Sequence, residues 1–125
     1  MKPTQLKFRA WHHFLKKMMV PASIDFERQL FWPQDPGAFP VPFSGIALMQ
    51  STGLVDSKGV EIFGGDIIRI PWSGPNGLPY YTTVVEWRED WGCFVEDHNC
   101  PFGSASHCSV VGNRYENPEL LKETA

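Results

Sequence analysis

The chain is short of cysteine, of helix-favouring stretches and of long apolar runs, and each shortage excludes something. Cys93, Cys100 and Cys108 are the three cysteines among 125 residues. An odd number argues against a disulfide framework. No apolar run approaches the ~20 residues that a membrane-spanning helix needs. Met18-Met19-Val20 is too short for the apolar core of a secretion signal. A soluble protein of the cytoplasm, with no membrane contact, is the expectation. Eleven glycines and eleven prolines interrupt the sequence, which points to strands and turns. A nucleophile elbow, an H-E-x-x-H motif and a phosphate-cradling glycine loop are all absent. Gly64-Gly65 lacks the following helix that phosphate binding requires.

What is present is strand alternation between turns. Residues 5–11 put Leu6, Phe8 and Ala10 on one face and Lys7, Arg9 and Trp11 on the other, the pattern of a half-buried strand. His12-His13 reads as two solvated turn residues, because neighbours on a strand point opposite ways and do not share a metal. Residues 20–45 are Pro-rich, with short strands expected at the apolar segments 24–26 and 30–32 and a loop from Pro33 to Ser44. Phe39 and Phe43 are expected to pin that loop to the body. Ile46 to Gln50 is a strand. It leads into Thr52-Gly53 and Asp56-Ser57-Lys58-Gly59, where Gly tolerates positive φ and Asp and Ser bond local amides. After Gly64-Gly65-Asp66, the strand Ile67-Ile68-Arg69-Ile70 directs Ile68 and Ile70 to one face. Asp66 is expected to accept amide hydrogen bonds from its turn. Tyr80–Trp87 and Trp91–Val95 make a hairpin, and His107–Val111 is a last strand. Pro118 suits the first position of a short C-terminal helical turn. Core residues are predicted at Phe8, Leu48, Ile62, Ile68, Ile70, Val85, Phe94 and Val110.

Three pieces, in order and spanning nearly the whole chain, make the sequence recognisable. They are Lys7-Phe8-Arg9-Ala10-Trp11; Met49 to Leu54 running on through Asp56, Lys58-Gly59, Glu61-Ile62 and Gly65-Asp66-Ile67; and Val111 to Leu121. In these the chain resembles the YopX family of phage and prophage proteins. The resemblance implies a β-rich fold and a bacterial host cell. It brings no catalytic residue, cofactor or metal. One domain is expected, all-β with one short C-terminal helical turn: N-terminal strands and Pro-rich segment over 1–45, a small SH3-like barrel over 46–116, and a tail over 117–125. Gly53, Gly59, Gly65 and Asp66 fall on the family pattern as structural turn residues.

The charge is unevenly placed. Residues 1–28 carry six basic against two acidic residues; residues 29–125 carry five against twelve. A basic arm on an acidic body suits a polyanion or a neighbouring subunit. Cys93, His98, Cys100, His107 and Cys108 have zinc-ligand chemistry but lack C-x-x-C spacing, so neither metal nor cofactor is expected. Glu86, Glu89, Asp90, Glu96 and Asp97 read as a solvated hairpin tip rather than an acid–base pair. The leading expectation is a noncatalytic structural or interaction module acting as a homo-oligomer. A second is a nucleic-acid-associated barrel, with Lys7, Arg9, Lys16 and Lys17 on phosphates and Trp72 and Trp87 stacking on bases. A third is an acidic protein that imitates nucleic acid before a host protein.

Overall fold

A computed structural model describes residues 7–72, 77–90, 92–96 and 100–124. It is all-β. The strands are β1 (Phe8–His12), β2 (Lys17–Met19), β3 (Pro21–Asp25), β4 (Leu30–Pro33), β5 (Val41–Pro42), β6 (Ile46–Val55), β7 (Glu61–Phe63), β8 (Asp66–Pro71), β9 (Tyr80–Arg88), β10 (Cys93–Glu96), β11 (Cys100–Pro101) and β12 (Ser109–Asn113). Among the described residues the only helical segments are 3-10 turns at Phe43–Gly45, Ala105–His107 and Pro118–Thr124. Pro118 opens the last of these, where its missing N–H costs nothing. The chain forms two compact units, Met1–Gln50 and Ser51–Ala125.

In the first unit β1 pairs antiparallel with β2 and with β6. Ala10 lies opposite Met19 on one side and Leu48 on the other. Ala10 is small because it is hemmed in by both neighbours and fully buried. The Pro-rich segment makes its own sheet, in the order β3-β4-β5. Its central strand sends Phe31 into the core with Ala10, Met19 and Ile46. Leu48 and Phe43 pack against that cluster. Phe26 stands edge-on to both Phe8 and Phe43, at 5.7 and 5.9 Å between ring centres. Phe43 therefore pins the loop. Phe39 does not, being 85% exposed.

In the second unit five antiparallel strands run in the order β11-β10-β9-β8-β12. That meander, with the last strand returning to β8, is consistent with the small-barrel pattern. Ile68 sits opposite Thr83 of β9 and Val110 of β12. Its core comprises Ile62, Ile68, Ile70, Val85 and Cys108, with Phe94 and Val110 against it. Ile67 and Val84, partners across β8 and β9, are buried as well. Strand β8 thus buries apolar side chains on both faces, Ile68 and Ile70 on one and Ile67 on the other.

A bulge interrupts β12 between Val110 and Gly112. A Cβ at Gly112 would overlap Asn117 Oδ1 and lie 2.7 Å from Asn117 Cγ and 3.0 Å from Asn117 Cβ. That side chain cannot swing away freely, because its Oδ1 accepts the Asn113 N–H at 3.2 Å. Gly112→Ala is expected to cost about 1–3 kcal/mol through this overlap. Urea denaturation measures it; an unchanged midpoint would show that Asn117 can leave without loss.

Candidate functional site

The β1–β2 turn is built by a histidine. His12 Nδ1 accepts the N–H groups of Phe14 at 3.2 Å and Leu15 at 3.0 Å. The Lys16 N–H donates to the His12 carbonyl at 2.8 Å. Lys16 closes the turn at φ 54°, a left-handed position that non-glycine residues seldom occupy. His12 therefore acts as a cap, in the way that short polar side chains cap helix starts. Its neighbour His13 is exposed. The consequence is an apolar tip held outward: Phe14 is 86% and Leu15 55% exposed.

Beside this tip lies an open groove of about 410 Å³, lined mainly by Leu15, Met19, Phe39, Val41 and Pro42. Lys17 and Asp35 pair at 3.4 Å on its margin. Two sheet edges border it. β2 ends the β2-β1-β6 side of one sheet and β5 ends the β3-β4-β5 sheet. Leu15 and Phe39 leave apolar surface exposed around it, and apolar concavities are where binding sites are most often found.

The second unit has a dense polar frame. Asp56 is buried, and its Oδ1 accepts the amides of Lys58 and Val60 at 2.8 and 2.9 Å. Its Oδ2 accepts the Val110 amide at 2.9 Å, and the Ser57 amide donates to the Cys108 carbonyl. The Asp56–Gly59 turn is thereby stitched to β12. Asp66, also buried, accepts the Phe63 amide at 2.8 Å. Gly53, Gly59 and Gly65 all have positive φ, at 80°, 84° and 97°. Gly65 also donates to the Val85 carbonyl and accepts the Arg114 amide, so its backbone is clasped from two directions. Asn113 Oδ1 accepts the amides of Tyr115 and Glu116. Arg114 pairs with Glu86.

The carboxylates around the β9–β10 hairpin are not all solvated. Glu96 is buried and accepts the Ser104 hydroxyl, the Gly103 amide and the Tyr81 hydroxyl. Cys108 is fully buried, and burial, with Asp56 and Glu96 nearby, pushes its thiol up to about 11. A neutral thiol is a poor nucleophile. Cys93 is half-buried; Asp97 and His98 lie outside the described residues, as does the side chain of Cys100. Among the described residues no group of three or more His, Cys, Asp or Glu could hold a metal ion. No helix among them is long and apolar enough to cross a membrane.

Arg9 lies on β1 and Lys7 just before it, with Lys16 and Lys17 at the tip, all in the first unit. Trp72 and Trp87 are in the second. Each stands edge-on to one ring, Trp72 to Tyr81 at 5.5 Å and Trp87 to Phe94 at 5.1 Å.

Residues 7–122 match the family described as YopX protein. The chain belongs to the YopX family. Among solved structures, it is similar to the crystal structure of protein EF1440 from Enterococcus faecalis. The two are 27% identical, the likeness covers 93% of this chain and 97% of that one, and the TM-score is 0.66. No curated protein matches the chain. The YopX pattern residues Asp56, Gly59, Gly65, Asp66, Asn113, Arg114 and Asn117 are engaged in turn and strand hydrogen bonds. In this YopX chain those residues hold the frame, whereas Leu15 and Phe39 are among those that line the groove.

Proposed function

We propose that this YopX protein is a noncatalytic interaction module of phage or prophage type. It works as a homo-oligomer in the cytoplasm of the bacterial host. One observation carries the reading: charge divides at the boundary between the two compact units. Residues 1–50 hold six basic against three acidic residues, a balance of +3; residues 51–125 hold five against eleven, a balance of −6. Buried Asp56 and Glu96 are hydrogen-bonded to neutral amides and hydroxyls, which leaves their charge to add to the field of the second unit. Opposed fields steer the cationic unit of one copy to the anionic unit of another. The exposed apolar groove supplies the burial that surface charges alone do not, since an exposed ion pair is worth only ~0–1 kcal/mol.

Static light scattering across protein concentration and salt tests the assembly. An oligomer at micromolar concentration and low salt, shifting toward smaller species as salt rises, is the expected result. A species of monomer mass under the same low-salt conditions overturns the reading.

A further inference from the structure

We propose that His12 is a proton-operated latch on the β1–β2 tip: the neutral imidazole holds the tip, and a ring that takes up a proton releases Phe14 and Leu15. The two bonds that hold the tip define the state of the ring. The Phe14 and Leu15 amides donate to Nδ1 at 3.2 and 3.0 Å. A ring nitrogen that accepts carries no proton, so the single proton of the neutral ring is on Nε2. Protonation places an N–H on Nδ1 as well. Three donors then meet with no acceptor among them, and both amides lose their partner.

The loss stays local. Phe14 is 86% and Leu15 55% exposed, so burial does little to hold them, and water takes the place of the lost acceptor. Behind the tip, Trp11 remains paired with Met18 and His12 with Lys17, and the His13 amide still donates to the Gly45 carbonyl at 3.1 Å. Lys16 sits at φ 54°, a conformation that the closed tip imposes and an open one relieves. The charged and titratable groups set around the ring come from three places. Lys17 of β2 lies opposite it, the turn contributes His13 and Lys16, and Asp35 of the Pro-rich segment lines the same groove and pairs with Lys17 at 3.4 Å. Ile46, its partner on β6, is apolar. Lys17 and Asp35 offset one another at the ring, which leaves the two amides to decide its preference. The released tip is the state that binds the proton, so it gains on the closed one as pH falls, about tenfold per pH unit once the ring titrates. Histidine is the side chain that makes this change between pH 5 and 8. His12 and Leu15 both line the groove, so that wall stands at the upper end of this range and is withdrawn at the lower end.

Nitrogen-15 NMR of the full chain from pH 8 to pH 5 tests the latch, in a range above that in which ordinary carboxylates titrate. At pH 8 the His12 proton is expected on Nε2, with the Phe14 and Leu15 amides near the rigid order parameter of about 0.85. At pH 5 those two should fall below about 0.6 while Ala10 and Met19 in the strands stay rigid. His12→Asn offers an oxygen acceptor that gains no proton, so its tip should stay ordered throughout. His12→Phe offers no acceptor, and its tip should be mobile at both ends of the range. His13→Asn should keep the wild-type transition. Equal order at Phe14 and Leu15 at pH 8 and pH 5 overturns the proposal, as does a transition that survives in His12→Asn or a proton found on Nδ1 at pH 8. Loss of order at Ala10 and Met19 together with the tip overturns it too, since the unit would then be unfolding as a whole.

Discussion

The Ile68→Asp protein is expected to show no cooperative unfolding transition and to accumulate as aggregate. Ile68 is fully buried among Ile62, Ile70, Val85 and Cys108. Removing its side chain alone costs about 2–5 kcal/mol. Placing a carboxylate among these apolar neighbours adds several kcal/mol more, or forces its protonation at similar cost. A domain of this size is stable by about 5–15 kcal/mol in total, and the combined loss is of that order. Ile68→Val, which deletes one methylene, should cost only about 0.5–1.5 kcal/mol and keep the transition. Near-ultraviolet circular dichroism and urea denaturation read both. A soluble Ile68→Asp protein that unfolds cooperatively would place that side chain outside the core.

Asp56→Asn should cost about 2–4 kcal/mol, because a buried carboxylate that accepts three amides is replaced by a group that accepts on one side only. Two of the donors share Oδ1 and the third uses Oδ2, so either orientation of the amide sets N–H against N–H. The acid limb of stability carries the same signature. Burial pushes the Asp56 carboxyl up, but the Val110, Val60 and Lys58 amides, helped by the Lys58 charge, outweigh it and hold the group below its ordinary 3.8. A folded-state value below the unfolded one means stability that is present above the unfolded value and lost as pH falls through it toward the folded value. Wild-type protein should therefore lose stability below about pH 4, and Asp56→Asn should show a shallower acid limb. Parallel acid limbs in the two proteins would show that the Asp56 charge does not hold β12.

Much of the second unit was legible because its signals are local. Alternation around Ile68 and Ile70, and the hairpin over residues 80–95, are visible within a few residues. So is the Asp66 turn, whose amide partner is three residues away. Longer bonds leave no such trace. Asp56 announces its turn, but its bond to Val110 spans 54 positions. Glu96 looks like one more surface acid until Ser104 and Tyr81 are brought to it. In the first unit the short strands near 24–26 and 30–32 were legible, but frequent proline hid the third strand of their sheet. Proline suits edge strands and strand starts, and β3 begins with Pro21 while β5 ends on Pro42. The groove was least legible, since it depends on His12 turning its ring back onto two amides.

The two buried clusters also differ in when their residues become available. That of the first unit, with the side chains packed on it, is complete once Leu48 exists. The second needs Cys108 and Val110, and β8 keeps an open edge until β12 arrives. On a ribosome, where the N-terminal part emerges first, the first unit has all its core residues while β8 and β9 still wait for theirs. A nascent chain stalled before residue 108 would present Ile68 and Ile70 beside an unpaired strand, a template for joining other unfinished chains. Translation through the last strand is thus the step at which the second half of the molecule ceases to be adhesive.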